Sequence, residues 1–234
     1  MKKPRTVLFD AYGTLFDVYS IAMLAEQLFP GQGQRLALIW RDKQIEYTRL
    51  ITTSNHGEHY RPFWALTESA LRYAIKVVAP AARTEWATGG FEDHHRALMG
   101  QYRHLSGFPE TRAVLTALRE RGLATGILSN GDPEMLGISV RSAGLEELLD
   151  HVISVHPVRL FKTAPEAYAL GPAVTGVPAA ETLFVSSNSW DALAATWYGY
   201  QTLWVNRQSA PFEELGTVPH RIGSSLRDVL AYLD

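Results

Sequence analysis

An α/β fold, with a helical block inserted behind the first strand of a parallel sheet, is predicted by three observations. Short apolar runs alternate with amphipathic stretches from about Pro109 onward. An isolated apolar run at 6–9 precedes a long segment of purely helical spacing. Three of the apolar runs end in polar turns, at Asp10, at Ser129 and at Ser186 to Asn188. Strands separated by roughly 10- to 15-residue helical patterns imply right-handed crossovers and therefore a parallel sheet. Ligands of such sheets sit beyond the carboxyl ends of the strands.

Taken in order, 6–9 reads as a buried strand that stops at Asp10-Ala11-Tyr12-Gly13-Thr14, where Asp and Gly mark a tight exit. From about Val18 to Met99 the spacing is helical, as in Leu36, Ile39, Trp40, Lys43 and Tyr47 with charges between them. This block is expected to lie over the sheet's edge as a cap. Then come a helix over 111–121, a strand over 124–128, a helix over about 133–143 and a strand over 151–154. A helix over 165–175, a strand over 183–185, a helix over 190–198, a strand over 202–205 and a last helix from Leu226 complete the series. The expected division is a core of 1–16 with 100–234 and a helical cap of 17–99.

The 234 residues suit one large domain or one domain with an insertion, at roughly 150 residues per domain. Apolar residues at 46% and charged residues at 20% exclude a disordered or low-complexity chain. A net charge of -2 provides no electrostatic footprint for nucleic acid or an anionic membrane. The absence of cysteine excludes disulfides, thiolate metal sites and thiol catalysis, and is compatible with a cytoplasmic location. The basic start is followed only by Val7-Leu8-Phe9 before Asp10 interrupts, so no signal peptide is expected. No run approaches the ~18 apolar residues of a membrane helix.

The segment Phe9-Asp10-Ala11-Tyr12-Gly13-Thr14-Leu15-Phe16-Asp17 is followed in order by Leu128-Ser129-Asn130-Gly131, Lys162 and Ser186-Ser187-Asn188-Ser189-Trp190-Asp191. Each dipeptide is a weak signal, but the ordered set resembles the haloacid dehalogenase superfamily, most closely the L-2-haloacid dehalogenases, from about Val7 to Leu215. The resemblance implies a Rossmann-like core with a helical cap, an aspartate nucleophile and hydrolytic removal of a 2-halogen. It implies Asp10 as nucleophile, forming an ester that water splits, with a D-2-hydroxy acid as product.

The same comparison distributes the other roles. Lys162 would hold Asp10 ionised and oriented, and Asp191 would neutralise Lys162 and position the hydrolytic water. Thr14, Ser186 and Asn188 would supply hydrogen bonds around the nucleophile and its ester oxygen. Ser129 and Asn130, with the amide of Ala11, would bind the substrate carboxylate before the helix at Pro133. Arg41 would approach the departing halide, and Tyr12, Ile45, Phe63, Tyr168 and Trp190 would form a dry wall. Phe63 requires a short insertion around His56 to His59. Dimeric relatives cover the helix from Trp40 to Leu50 with a second subunit, which suggests a homodimer; a surface between cap and core is the competing explanation.

Elementary chemistry favours this branch. Phosphatases of the superfamily place an acid two residues after the nucleophile to protonate an alkoxide; here the residue is Tyr12. A halide leaves without a proton, so no acid is needed. Ser187 stands where those phosphatases carry a magnesium-holding Asp, and losing a hard charged ligand weakens such a site. No metal and no cofactor are expected.

Two residues depart from the resemblance. Asp42 replaces the usual neutral Gln after the arginine. Facing inward it would repel halide and suit a cationic leaving group, which keeps azetidine-2-carboxylate ring hydrolysis as an alternative. Pairing with Lys43, Arg41 or Arg49, or facing solvent, is the preferred reading, because an unpaired buried carboxylate is costly. Thr163 stands after Lys162 where Pro is common. A magnesium phosphatase and a non-catalytic binding module are further alternatives. Gly31-Gln32-Gly33 reads as a helix-linking turn, and His94-His95 lacks ligand spacing and is expected to be exposed.

Overall fold

All four residues of β1 (Thr6–Phe9) are buried, as expected of a strand covered on both faces of a parallel sheet. The computed structural model describes residues 2–234. After β1 come α1 (Ile21–Leu28), α2 (Gly33–Thr53), α3 (Phe63–Val78) and α4 (Phe91–Arg103). The remainder runs α5 (Thr111–Glu120), β2 (Ala124–Ser129), α6 (Pro133–Ser142), β3 (His151–Ser154), α7 (Pro165–Thr175) and β4 (Thr182–Ser186). It ends with α8 (Ser189–Tyr198), β5 (Gln201–Val205), β6 (Arg221–Gly223) and α9 (Asp228–Leu233). Two compact units result: Met1–Asp17 with Ser106–Asp234, and Val18–Leu105.

The α/β unit is a six-stranded parallel sheet in the order β3-β2-β1-β4-β5-β6. The chain moves outward from β1 through β2 to β3, then returns to the other side of β1 for β4. Open α/β sheets bind ligands beyond the carboxyl ends of the strands at such a reversal. Phe9 pairs with both Ile127 and Val185, so Asp10 emerges level with the polar end of β4. The Asp10 amide still donates to Val185 O at 2.9 Å.

β6 is the strand that hydropathy does not predict, since it is a three-residue edge strand with exposed Arg221 and Ile222. The last helix starts at Asp228 rather than Leu226. The Asp228 carboxylate accepts from the Ser224 and Ser225 amides at 2.7 and 2.9 Å, which closes a turn before the helix. The expected division after residue 99 falls inside α4, so the boundary lies after Leu105. The two linkers pair with each other: Phe16 bridges Gly107, and Asp17 N–H donates to Ser106 O at 2.9 Å.

The second unit is helical among its described residues. The buried row of α2 is Gly33, Leu36, Trp40, Gln44 and Thr48, one residue round from the expected Lys43 and Tyr47. Apolar spacing cannot reveal that Gln44 and Thr48 are interior. His95 departs from expectation: it is 4% exposed, on the face of α4 that buries Leu98, Met99 and Tyr102, with the Trp86 ring edge-on to it. Burial lowers its pKa from the ordinary histidine value, and Arg72 acts in the same direction. The Gly31-Gln32-Gly33 turn links α1 to α2, with the Glu26 carboxylate accepting from the Gly31 and Gly33 amides.

Candidate active site

Asp10 stands one residue past β1, where the sheet ladder releases the chain into the turn Ala11–Leu15. That turn closes on Ala11 O, which accepts from Thr14, Leu15 and Phe16 amides. Gly13 has a φ of 90°, which favours glycine at this tight exit. The Asp10 side chain is buried, and its two oxygens are treated differently. Oδ2 accepts from Thr14 Oγ1 at 3.1 Å and from Asn188 Nδ2 at 2.8 Å. Oδ1 faces Lys162 Nζ at 3.3 Å.

Lys162 is 1% exposed, and its ammonium also donates to Asp191 Oδ2 at 3.0 Å. It lies 4.8 Å from the Phe184 ring centroid, so the cation is flanked by two carboxylates and an aromatic face. Asp191 is fully buried in the first turn of α8. Burial raises its pKa above the ordinary carboxylate value, opposed by the attraction of Lys162. Asp191 Oδ1 accepts from Tyr168 OH at 2.7 Å. Burial, with the adjacent Asp191 charge, pushes the Tyr168 phenol well above its ordinary value, so it remains a donor.

These bonds separate residues expected to share a role. Tyr168 is interior, 1% exposed, and acts as Asp191's hydrogen-bond donor rather than as an apolar wall. Tyr200 OH in turn donates to Tyr168 O at 2.7 Å. Ser186 Oγ accepts from the Asn188 amide at 3.1 Å, so it shapes the turn that carries Asn188 and is one step from Asp10. Asn130 Oδ1 accepts from the Lys162 amide at 2.8 Å and so fixes the segment that delivers the lysine. The Lys162–Thr163 peptide is cis.

Ser129 is buried, and its Oγ accepts from the Gly131 amide at 3.1 Å, which uses a lone pair and not the hydroxyl proton. Asp132 caps α6 by accepting from Met135 N at 3.1 Å. Tyr12 is buried with its hydroxyl 3.3 Å from Ser139 Oγ, and its carbonyl meets Asn188 Nδ2 at 3.4 Å. Ala11 is buried in the same turn, whereas Trp190 at the start of α8 is half-buried. Ser187 has a buried Oγ, and its amide donates to Thr14 Oγ1 at 2.9 Å.

The candidate residues of the helical unit sort by helix angle. Arg41 and Ile45 are half-buried beside the Trp40–Gln44 row, and Arg41 Nη1 donates to Gln44 Oε1 at 2.8 Å. Asp42 is exposed, about 200° from Trp40 at 3.6 residues per turn, and is not brought to that row. Phe63 begins α3, is 2% exposed, and its carbonyl accepts from Thr67 Oγ1 at 2.8 Å.

Two features have no motif to announce them. Arg207 joins Glu110 Oε1 at 2.6 Å, donates to Thr14 O at 3.3 Å and stacks on Phe108. Gln44, Thr67 and Tyr102 form a hydrogen-bonded group behind Arg41. A polar residue in an apolar row is the signal that could have found the second. For metal binding, no group of three or more His, Asp or Glu side chains suited to an ion occurs among the described residues. No described helix is long and apolar enough to cross a membrane.

The chain is similar to known proteins over most of its length. The haloacid dehalogenase-like hydrolase family matches residues 4–199. An (S)-2-haloacid dehalogenase of Pseudomonas sp. (strain YL) is 38% identical over 226 residues, 96% of this chain and 92% of its own. A crystal structure of an L-2-haloacid dehalogenase is 54% identical, covers 99% of both chains and superposes with a TM-score of 0.92. The L-2-haloacid dehalogenase of Xanthobacter autotrophicus, solved with chloropropionic acid covalently bound, is 34% identical over 98% of each chain, with a TM-score of 0.85.

Proposed function

The chain belongs to the haloacid dehalogenase-like hydrolases, and from that premise we propose that it hydrolyses short L-2-haloalkanoic acids to D-2-hydroxy acids through an ester at Asp10. The carrying observation is the unequal environment of the Asp10 oxygens. Oδ2 is held by two neutral donors, whereas Oδ1 faces one ammonium whose charge is shared with Asp191.

Oδ1, with fewer hydrogen bonds, attacks C2 from the side opposite the halogen. The C2–halogen bond breaks, halide leaves with its electron pair, and C2 inverts. Oδ2 becomes the ester carbonyl oxygen, already facing Thr14 Oγ1 and Asn188 Nδ2. When water adds to the Asp10 carboxyl carbon, those donors meet the developing oxyanion, the arrangement in which a hydrogen bond is worth most. Asp191 takes the water's proton, and its raised pKa makes it a stronger base than a solvated carboxylate. Collapse breaks the bond to the ester oxygen, which takes that first proton back from Asp191 as the hydroxy acid leaves, and the Asp10 carboxyl releases its own proton to solvent to regenerate the carboxylate.

Ser129 and the Ala11 amide bind the substrate carboxylate, while Asn130 acts through Lys162. Tyr12, Ile45, Phe63 and Trp190 exclude water. Arg41 of the helical unit, in the role of a cap, receives the halide. The halide-releasing step calls for no general acid, and Tyr12, in the place of the phosphatase acid, meets Ser139. The ring-hydrolase alternative drew on an inward Asp42, and that residue is exposed. A second copy covering the helix from Trp40 to Leu50 and a cytoplasmic location remain parts of this reading.

The test is halide release from L-2-chloropropionate with and without EDTA, followed by one turnover in heavy-oxygen water. Release that survives EDTA, with label found first in the Asp10 side chain, supports the reading. Label found only in the product points to direct attack by water, and ring opening of azetidine-2-carboxylate without halide release selects the alternative.

A further inference from the structure

We propose that Gln44 is a positioning residue for the halide-receiving step: it aims the Arg41 guanidinium through an acceptor that carries no charge of its own. The inference rests on the assignment of Arg41 above. Gln44 is fully buried in the middle of α2, in a row otherwise suited to apolar side chains. An amide there is costly unless every polar atom is engaged, and this one is. Its Oε1 accepts from Arg41 Nη1 at 2.8 Å, and its Nε2 donates to Thr67 Oγ1 at 2.7 Å and to Tyr102 OH at 3.1 Å.

The direction of the amide is dictated by its neighbours. A threonine hydroxyl has one proton, and Thr67 spends it on Phe63 O at 2.8 Å. Towards Gln44, Thr67 can therefore only accept. The NH₂ must point to Thr67, which turns the carbonyl to Arg41. Thr67 is itself held, because its carbonyl accepts from Trp40 Nε1 at 2.9 Å. The anchor joins α2, α3 and α4 within one unit.

A carboxylate at position 44 would orient the arginine equally well, but it would neutralise the cation that an anion needs. A neutral acceptor fixes the geometry without adding a negative charge beside the cation. It also removes in advance the rotamer freedom that a long arginine would otherwise lose on meeting the halide.

The experiment measures single-turnover halide release from 2-chloro-, 2-bromo- and 2-iodopropionate. Chloride is the poorest of the three leaving groups and gains most from a well-aimed cation. Gln44→Met is expected to slow chloride release by about 10- to 100-fold, in the range of losing one aimed donor, and iodide release several-fold less, with KM nearly unchanged. Gln44→Glu should steepen the halide dependence in the same direction, Thr67→Val should do so more weakly, and Thr67→Ser should restore wild-type behaviour. A purely structural role would slow all three halides alike.

Equal slowing, or no slowing, in folded Gln44→Met overturns the proposal. If that variant does not fold, Thr67→Val against Thr67→Ser decides in the same way. Arg41→Met runs in parallel. An unchanged halide dependence there refutes the role of Arg41, whereas a steeper dependence there without one in Gln44→Met refutes Gln44 alone. A wild-type chain that releases no halide overturns both.

Discussion

At the sheet's edge one ammonium is shared by two carboxylates, whereas in the helical unit one guanidinium is held by a neutral amide. The first cluster draws Asp10, Lys162 and Asp191 from three distant stretches of chain, with Lys162 and Asp191 almost fully buried. The second takes Arg41 and Gln44 from one helix turn and steadies them with Thr67 and Tyr102. In the first, removal of the lysine leaves two buried carboxylates without their cation, so chemistry and stability should fall together there. In the second no charge is stranded, so chemistry should be graded while the fold survives.

The sharpest break in that contrast is Asp10→Asn. It removes the charge of the oxygen proposed to attack while keeping an isosteric partner for Thr14, so halide release should fall by at least about 10⁴-fold, as when other covalent nucleophiles are lost. Retained turnover would show that Asp10 only caps its turn. Lys162→Met comes next and tests charge balance directly. With Asp10 and Asp191 facing each other without a cation, stability should drop by about 3–5 kcal/mol, the scale for breaking a buried pair. The measurement is the denaturant midpoint at two pH values. A carboxylate raised in the fold contributes stability below its ordinary pKa and loses it as pH rises through the folded value, so the deficit should grow with pH. A pH-independent deficit would mean that lost packing outweighs lost charge.

Tyr168→Phe is milder and separates burial from hydrogen bonding at Asp191. Tyr168 OH donates to Asp191 Oδ1 and opposes the upward push of burial. Without it Asp191 should titrate higher, moving the acid limb of ester hydrolysis upward in pH. The alkylation half-reaction at Asp10 should change less. An acid limb that stays in place would remove Asp191 from the proton-transfer step.

What the sequence discloses follows the same division. The five longer strands of the sheet and the residues at their ends were legible, because buried parallel strands are short apolar runs and their polar exits are abrupt. Asp10, Lys162 and Asp191 stand out by residue type within an ordered motif. Asn130 and Tyr168 show what spacing cannot convey: their places in the series were readable, but not that one holds the Lys162 backbone and the other donates to Asp191. In the helical unit, apolar periodicity pointed one residue away from the buried row, because Gln44 and Thr48 are interior for their hydrogen bonds rather than their hydropathy. His95 was misplaced for a related reason, since a histidine can fill a core position when its ring nitrogen finds a carbonyl. β6 was missed because an exposed three-residue edge carries no apolar signal.

The smallest expected effect again sets the two units against each other, through pH. His95 is kept neutral mainly by burial, with its Nε2 3.4 Å from Glu68 O; Arg72 disfavours its protonation, while Glu68 and Glu92 favour it. A base whose folded pKa is lowered contributes full stability above its ordinary value, about 6.5, and loses it as pH falls through the folded one. Asp191 has the opposite sign, its contribution being recovered as pH falls from its raised folded value towards the ordinary carboxylate range. Mild acid should therefore weaken amide-exchange protection in α3 and α4 by at most about 1.4 kcal/mol per pH unit of depression. His95→Gln, which keeps a donor for Glu68 O, should flatten that decline without altering protection of β1 and β4. If the variant and the parent lose protection in parallel below neutrality, burial of this ring is not what makes the helical unit acid-sensitive, and the electrostatic contrast between the units reduces to the carboxylate side alone.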